Sequence, residues 1–495
     1  MTTSRRDFLL TSAASVGIAA ACNPTRGPQG GQDAGPLSTT GDGGSQQVAD
    51  GGGPSDAGTA DAADAAVPDA APPAPDAGQP VNVQDVPLTS VWPLGVAAGD
   101  TTPTSAMLWT QYTGFRTLKL LAWESADGSP GIRVADAEVA AEDTYVKFDV
   151  VTLSPGARYA YVFLELEDGA PVGRSPVGLF RAAIAEDAEE RLLLGATSCT
   201  KNGRNFGTIG HAAGRADLDA FLLLGDTSYN DGAETLVEYR AKWAENLGTP
   251  EYRALREATA VYATWDDHEV VNDFTPEDVS YAKFVTAQQA FWETLPIRPH
   301  PTVPGRLWRS FRWGRTVEVF VLDCRGERRP STRDSGNAEY LSAAQMSWLQ
   351  EGLRTSPCVF KLIMNSVPIG NFPTVFDVAR GDRWEGYPSQ RTAILRFIDE
   401  TPVTGVLWVS GDFHLATIGW VSAAGNPGEH QLEFLVGPGA QTGNVLASTL
   451  NPPLWEWATP DDNYATFDLD PGTRKVIVTF HAASGTRLAQ RSFTV

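Results

Sequence analysis

Six apolar runs beyond residue 190 constrain the fold of this 495-residue chain more than any other feature. The runs are continuous rather than alternating, which favours strands buried on both faces in a mixed α/β domain. Each run ends at side chains able to bind or transfer, and ligands of such sheets bind beyond the carboxyl ends of the strands. The run ends are Cys199, Asp226 with Tyr229, Trp265 to Glu269, Asp323 with Arg325, Asn365, and Asp412 with His414. The pattern therefore predicts one site built from several strand ends.

Helical segments are predicted between these runs. One covers residues 340–353, with Ser342 and Gln345 as a capping pair, and another covers residues 279–294. The last thirty or so residues, 466–495, read as β-strands instead. This alternation of strands and helices again indicates a mixed α/β domain.

Residues 90–186 show a different pattern, with short alternating runs separated by turn residues. Turns are predicted at residues 154–156 (Ser-Pro-Gly) and 167–169 (Glu-Asp-Gly). Several short strands at nearly regular spacing favour a small fibronectin-like β-sandwich. No chemistry-bearing residues converge in this segment, so its predicted role is to pack beside the larger domain.

The first 22 residues have the pattern of a targeting segment. Arg5 and Arg6 precede a short apolar run over residues 8–21, which is too short to span a bilayer comfortably. The pattern predicts export by the twin-arginine machinery, in preference to a chance arginine pair. Cys22 follows three alanines, so either it is lipidated and tethers the protein to a membrane, or cleavage releases a soluble protein. The predicted location is the bacterial cell envelope, periplasmic or membrane-anchored.

Residues 23–89 contain no aromatic side chain and are rich in Gly, Ala, Pro, Ser and Asp. Such a segment cannot bury enough apolar surface to offset the entropy of ordering. A disordered linker is therefore predicted between the export segment and the folded part of the chain.

Composition excludes two classes of protein. The 60 acidic residues outnumber the 38 basic ones, so a general basic surface for nucleic acid is not expected. Only four cysteines occur, which excludes a disulfide scaffold. Cys324 and Cys358 lie on two predicted strands, where they either pair in an oxidising compartment or stay free.

The residue types at the strand ends fit metal binding. Asp226, Asp267 and Asp412 offer hard oxygen ligands, Asn365 offers a neutral oxygen, and His414 offers an imidazole. Several carboxylates brought into one pocket repel each other unless cations lie among them. Two neighbouring metals can bind a phosphoryl oxygen, generate hydroxide near neutral pH and hold the attacking and leaving oxygens in line. The residues alone therefore predict dinuclear hydrolysis.

Three motifs occur in a characteristic order: Gly-Asp-x-x-Tyr at residues 225–229, Trp-Asp-Asp-His-Glu at 265–269 and Gly-Asp-x-His at 411–414. Together they resemble the signature of PhoD-type enzymes within the calcineurin-like metallophosphoesterases. The flanking sequence agrees, and the resemblance extends from Val91 to the end of the chain. It implies a four-layer α/β sandwich over residues 187–495, with the β-sandwich before it.

The resemblance also implies a role for each motif residue. Asp226 would bridge two metals, with Cys199, Tyr229 and His414 completing a ferric site. Asp267, Asn365 and Asp412 would hold a second ion, calcium. His268 would contact phosphate and help protonate the leaving group, and Asp266 would be a further ligand or a supporting residue. The alternatives are an inert buried Cys199, a core or surface Tyr229 and a structural His268.

The implied activity is that of an alkaline phosphatase, with in-line attack of a metal-bound hydroxide on a phosphate ester. Two alternatives stay open: phosphodiesterase or phospholipase D-like cleavage of diesters, and a non-catalytic surface protein that binds a partner. Four basic residues either contact phosphate or form ion pairs. They are Arg325, Arg328, Lys201 and Arg204.

Overall fold

The structure is a computed structural model that describes residues 82–495. The predicted export segment at residues 1–22, its lipidation site Cys22 and residues 23–81 of the predicted linker lie outside the described residues. Within residues 82–495, no helix is both long and apolar enough to cross a membrane.

The described residues form 21 β-strands and six α-helices. The first eight strands are β1 (Val96–Gly99), β2 (Ala106–Gln111), β3 (Thr117–Glu124), β4 (Arg133–Val139), β5 (Tyr145–Val150), β6 (Arg158–Glu167), β7 (Ala170–Arg174) and β8 (Gly178–Arg181). The next seven are β9 (Leu192–Thr197), β10 (Ala220–Leu223), β11 (Val261–Ala263), β12 (Arg309–Trp313), β13 (Val317–Val321), β14 (Phe360–Asn365) and β15 (Val406–Ser410). The last six are β16 (Ala416–Trp420), β17 (Leu432–Leu435), β18 (Trp455–Thr459), β19 (Tyr464–Asp470), β20 (Lys475–His481) and β21 (Arg487–Thr494).

The helices lie between these strands. The α-helices are α1 (Gly207–Ala213), α2 (Leu236–Leu247), α3 (Pro250–Ala258), α4 (Tyr281–Thr294), α5 (Ala343–Thr355) and α6 (Pro388–Glu400). Short 3-10 helices lie at Val83–Asp85, Pro330–Thr332, Thr374–Asp382, Trp384–Gly386 and Val445–Thr449.

Two large sheets pack against each other at the centre of the fold. The first has the strand order β21-β20-β19-β9-β10-β11-β1-β2-β5, and the second has the order β12-β13-β14-β15-β17-β16-β18. Side chains alternate across a strand, so Leu222 of β10 faces the core between the sheets, where Val409 of β15 also lies. Its neighbours Phe221 and Leu223 face a second core on the other side. Burial on both faces explains why the runs are apolar without alternation.

Helices cover the outer faces of both sheets. Trp243 of α2 and Phe291 of α4 pack in the core outside the first sheet. Leu349 of α5 and Leu395 of α6 pack outside the second. The order helix, sheet, sheet, helix confirms the predicted four-layer α/β sandwich.

The predicted N-terminal β-sandwich is present, but one of its sheets is not separate. Strands β3, β4, β6, β7 and β8 form a sheet of their own. Strands β1, β2 and β5 extend the nine-stranded sheet, because β1 runs parallel to β11 with Gly99 opposite Val261. A core that includes Leu108 of β2 and Leu120 of β3 lies between the two layers. Alternation within a strand predicts a buried face but not the strand that pairs beside it, so the sequence did not indicate this continuity.

The folded region begins earlier than residue 90. Val86 is buried against the five-stranded sheet, and Leu88 forms a bridge with Arg174 of β7. Thr89 donates a hydrogen bond of 2.8 Å to Glu165. Residues 82–89, which the composition places in the linker, therefore belong to the sandwich.

Both predicted helices form, as α4 and α5. Ser342 accepts the predicted capping hydrogen bond from the backbone N–H of Gln345 at the start of α5. The side chain of Gln345 does not complete the capping pair, because it bonds instead to the backbone of Asp323. The predicted β-strands at the end of the chain are β19 to β21.

Cys324 and Cys358 do not pair. Cys324 follows the carboxyl end of β13, whereas Cys358 precedes the amino end of the parallel neighbour β14, so the two lie at opposite ends of the sheet. Each thiol donates to a different acceptor, Cys324 to Asn365 Oδ1 and Cys358 to the carbonyl of Gly314.

Candidate metal centre

The six run ends meet at one edge of the two sheets. Strands β9, β10 and β11 are parallel neighbours in the first sheet, and β13, β14 and β15 are parallel neighbours in the second. Their carboxyl ends therefore face the same side, as the sequence predicts. Gly225 lets the loops after β10 and β11 approach closely, since a Cβ on it would lie 2.7 Å from Cβ of Asp266.

Four of the predicted site residues have left-handed backbone conformations, which are unusual outside glycine. Their φ angles are 55° at Cys199, 54° at Asp226, 70° at Asp412 and 52° at His414. Such conformations cost free energy and persist only where the surroundings impose them. In each case the chain turns immediately after a buried strand, which directs these side chains toward the common edge.

One potential cation-binding cluster, here called the Cys199 group, comprises Cys199, Asp226 and His414. Their ligand-capable atoms all lie within 4.8 Å of one another. Tyr229 adjoins the group, because its hydroxyl lies 3.0 Å from Asp226 Oδ2 and 3.1 Å from His414 Nε2. The four residues that the resemblance assigned to one metal are thus brought together.

A second cluster, here called the Asp412 group, comprises Asp266, Asp267 and Asp412, again within 4.8 Å. Asp226, Asp267 and His268 form a third set at the same spacing and so connect the two groups. Asp266, for which two roles were open, has a place among the potential ligands.

Asn365 uses both polar atoms of its amide within the protein. Its Oδ1 accepts hydrogen bonds of 3.0 Å from Trp384 Nε1 and from Cys324 Sγ. Its Nδ2 donates to Ser410 Oγ at 3.2 Å. The structure places Asn365 beside the Asp412 group without directing a free oxygen at it, so its role as a ligand stays a prediction.

The electrostatics of the site favour bound cations. Burial raises the pKa of Asp226 and of Asp412 well above the usual range, and it raises that of Asp266 to about 6. Among the described residues, Asp226 Oδ1 and Asp266 Oδ2 are buried without a hydrogen-bond partner. Buried charges need a partner or a metal, so this donor set fits positive ions at both groups.

The Cys199 group differs in having two donors that are neutral on their own. Burial, followed by the charge of Asp226, raises the pKa of Cys199 and of Tyr229 well above their usual ranges. A thiolate or phenolate at these positions therefore requires a strongly polarising cation.

Glu269 has a role that sequence reasoning missed. Its carboxylate is fully buried and accepts backbone N–H bonds from Asp226 at 3.1 Å, Thr227 at 2.6 Å and Asp266 at 2.8 Å. It therefore ties the loop after β10 to the loop after β11 and fixes the left-handed turn at Asp226. Its place at the end of the Trp-Asp-Asp-His-Glu motif was the available signal.

Asp231 was also missed. Its carboxylate lies 2.7 Å from His268 Nδ1 and accepts a second bond from the N–H of Asn272. Burial alone lowers the pKa of His268, but Asp267, Asp226 and the bond to Asp231 outweigh it and raise the pKa to about 10. Asp231 therefore holds the imidazole by Nδ1, and the surrounding carboxylates favour its protonated form.

The four basic candidates divide into two pairs. Arg325 and Arg328 are fully buried and form ion pairs of 2.7 Å with Asp382. These contacts favour the ion-pair alternative over phosphate contact, since both guanidinium groups are held by carboxylates.

Lys201 and Arg204 instead lie exposed on the loop after Cys199. Lys201 Nζ stands 5.2 Å from the ring centre of Tyr229, and Arg204 donates to Thr442 Oγ1 at 2.6 Å. The exposed ammonium of Lys201 is the nearer of the two to a predicted ligand ring.

Two stacked sheets, with potential metal ligands in the loops at one carboxyl edge, form an α/β sandwich that solved phosphatase structures share. The solved structure of PhoD has this fold, with a TM-score of 0.71 at 21% identity over 82% of this chain and 90% of that one. A purple acid phosphatase from yellow lupin (Lupinus luteus) shares it at a TM-score of 0.61 and 12% identity, over 81% of this chain and 73% of that one.

The chain belongs to the PhoD-like phosphatase family. The family's phosphatase model matches residues 194–451, and its N-terminal domain model matches residues 80–184. Alkaline phosphatase D of Bacillus subtilis (strain 168) is 26% identical over 388 residues, which cover 66% of this chain. The match spans 65% of the length of that relative.

Proposed function

We propose that the protein is a metal-dependent phosphoesterase that hydrolyses phosphate esters, with alkaline phosphatase activity as the first assignment. The observation that carries the proposal is the meeting of Asp226, Asp267, His268 and His414 at one strand-end edge. Membership of the PhoD-like phosphatase family supports the same reaction class.

The ligand sets differ in the ions they fit. Cys199, Asp226, Tyr229 and His414 would hold a trivalent, oxophilic ion such as Fe³⁺. The carboxylates of the Asp412 group, with Asn365, would hold Ca²⁺. Bound cations would supply Lewis-acid stabilisation of the phosphoryl oxygens and activation of the attacking water.

The protein's own residues position and transfer a proton. Asp231 holds Nδ1 of His268, so Nε2 is the ring nitrogen free to face the substrate. A protonated His268 stabilises the negative charge that develops on the phosphate and can donate to the departing alcohol. Glu269 keeps Asp226 and Asp266 in place while charge develops.

Cleavage of phosphodiesters is the second candidate. The same ligands can act on either ester class, but the exposed Lys201 above Tyr229 favours a substrate with the extra negative charge of a monoester. We therefore place monoester hydrolysis first.

The decisive test compares an aryl phosphomonoester with the matching diester. Full-length protein loaded with iron and calcium should cleave at least one, and chelation or Asp412→Ala should abolish the turnover while thermal unfolding stays cooperative. Binding of both metals without cleavage of either ester would refute the proposed phosphoesterase activity and favour the surface-binding alternative.

We also propose export to the cell envelope, supported by Arg5, Arg6 and Cys22 in the sequence. Replacing Arg5 and Arg6 with lysine should retain the protein in the cytoplasm, as measured by cell fractionation. Cys22→Ser should move exported protein from the membrane to the soluble fraction. An unchanged distribution in either variant would contradict the corresponding step.

A further inference from the structure

Arg325 stands among four carboxylates. Its side chain is fully buried, and its nitrogens lie within 4.0 Å of Asp266, Asp267, Asp382 and Asp412. Three of these acids are the whole Asp412 group. The guanidinium therefore already supplies a positive charge at the place where a cation is expected.

Two of the three guanidinium nitrogens of Arg325 form hydrogen bonds, and the third does not. Nε bonds Asp266 Oδ1 at 2.5 Å, and Nη1 bonds both oxygens of Asp382 at 2.8 and 2.7 Å. Nη2 is buried and has no hydrogen-bond partner among the described residues. It lies 3.8 Å from Asp267 Oδ1 and 3.5 Å from Asp412 Oδ1, between two predicted ligands of the second ion.

The Cys199 group has no comparable neighbour. Within residues 82–495, the only ion pair of Asp226 is with His414, at 4.0 Å. Among the described residues, no arginine forms an ion pair with Asp226, and the cationic side chain near it is His268, which Asp226 shares with Asp267. A cation at the Asp412 group would meet, in addition to three carboxylates, the fixed positive charge of Arg325.

Arg325 is also held so that it cannot withdraw. Asp382 binds it through both oxygens and also binds Arg328 at 2.7 Å. Arg328 is in turn bonded to the carbonyl of Cys324 and to the hydroxyl of Tyr340. The positive charge is therefore a permanent part of the Asp412 group.

We propose that Arg325 is a positioning residue that sets the charge of the Asp412 group, so that a divalent ion binds there weakly and exchanges. The proposal rests on the metal-dependent function given above. A buried unit charge a few ångströms from a divalent ion opposes its binding strongly, because little water screens the pair. A purely architectural arginine would instead favour the ion by holding its ligands in place.

The test measures calcium binding rather than turnover. Chelator-treated, full-length protein would be titrated with calcium by calorimetry, and the calcium dissociation rate would be measured by stopped flow. We expect Arg325→Gln to bind calcium at least about tenfold more tightly, mainly through slower release. Arg325→Lys keeps the positive charge but loses the planar set of guanidinium donors. Its calcium affinity should therefore stay within about threefold of that of the original protein.

Arg328→Gln is the matched control. Arg328 is as buried as Arg325 and shares Asp382, but no ion pair joins it to the Asp412 group within residues 82–495. Its effect on calcium affinity should be the smaller one. Thermal unfolding of each variant reports whether the buried substitution is tolerated.

Unchanged or weaker calcium binding by Arg325→Gln overturns the proposal. If Arg325→Gln does not fold, the calcium affinity of Arg325→Lys decides. A loss of affinity although the charge is retained would mean that Arg325 has an architectural role. Failure of both the original protein and Arg325→Gln to bind calcium would instead refute calcium as the second ion of the proposed function, so the two failures are distinguishable.

Discussion

The two cation-binding groups share one edge of the fold but differ in chemistry. The Cys199 group combines a thiol and an imidazole around Asp226, with the phenol of Tyr229 beside it. Among the described residues, no arginine forms an ion pair with Asp226. The Asp412 group has carboxylates alone, and Arg325 stands among them. Anionic thiolate and phenolate donors suit a tightly held, highly charged ion, whereas carboxylates offset by a guanidinium suit an exchangeable divalent ion. One fold edge can thus hold two cations with different tasks.

Asp226→Asn should give the largest loss of activity. Asp226 belongs to the Cys199 group and also to the set that contains Asp267 and His268. Loss of its charge weakens both ions, so kcat/KM should fall by at least about 10³-fold. Asparagine tolerates the left-handed backbone at this position, which limits folding damage. Steady-state hydrolysis of an aryl phosphate measures the loss.

Asp168→Asn provides the matched control, since Asp168 has a φ of 50° and is exposed in a turn of the sandwich. Its activity should equal that of the original protein. Near-normal turnover by Asp226→Asn would show that Asp226 does not connect the two groups.

Cys199→Ser should separate the groups. A hydroxyl is a poorer ligand than a thiolate for a strongly polarising ion, so iron content should fall while calcium binding persists, with roughly 10²-fold lower activity. Elemental analysis together with calcium titration checks this. Cys358→Ser, in a buried thiol remote from the edge, should retain both metals. Equal loss of iron and calcium from Cys199→Ser would show that the groups are not independent.

Asp231→Asn tests the proton donor that lies between the groups. Without the carboxylate, His268 loses both its orienting charge and part of its support for protonation, so kcat should fall by about 10- to 100-fold. The loss should be greater for an alkyl phosphate than for a nitrophenyl phosphate, because a poor leaving group needs the proton more. Equal losses on both substrates would assign Asp231 an architectural role.

Lys201→Gln should give the smallest loss of activity. It tests the exposed charge beside the Cys199 group. Removing an exposed charge near Tyr229 should lower kcat/KM for a monoester about five- to tenfold and change the diester little. Added salt should reduce the difference between variant and original. Lys475→Gln, on an exposed strand end, should leave the ester preference unchanged. If Lys201→Gln does not change the ratio of monoester to diester kcat/KM, the charge of Lys201 does not explain a preference for monoesters.

The potential ligands could be predicted from the sequence because each directly follows a continuous apolar run. Asp226, Asp267 and Asp412 needed only the rule that parallel strands end at a common edge, whereas the resemblance implied the role of Cys199. The mixed α/β class followed from the same runs and from the helices between them, and the resemblance implied the four layers.

The supporting residues could not be predicted in this way. Glu269 bonds to backbone groups more than forty positions away, and Asp382 reaches Arg325 from a 3-10 segment with no strand pattern. Such contacts depend on how loops from different strands approach each other, which local periodicity does not encode. The sequence left phosphate contact and ion pairing open for Arg325 and Arg328 for that reason, since their shared partner Asp382 could not be located from it.

The parallel pairing of β1 with β11 has a consequence for trimming the protein. Strand β11, only three residues long, leads directly into Asp266 and Asp267 and lies between β10 and β1. A fragment starting at residue 187 would turn β11 into an unprotected sheet edge, with bare amide groups ready to recruit another chain. The fragment would aggregate rather than yield a minimal hydrolase. The amino-terminal matched region therefore protects one edge of the sheet that carries the candidate metal centre, and we expect that the two regions must be expressed and recombined together.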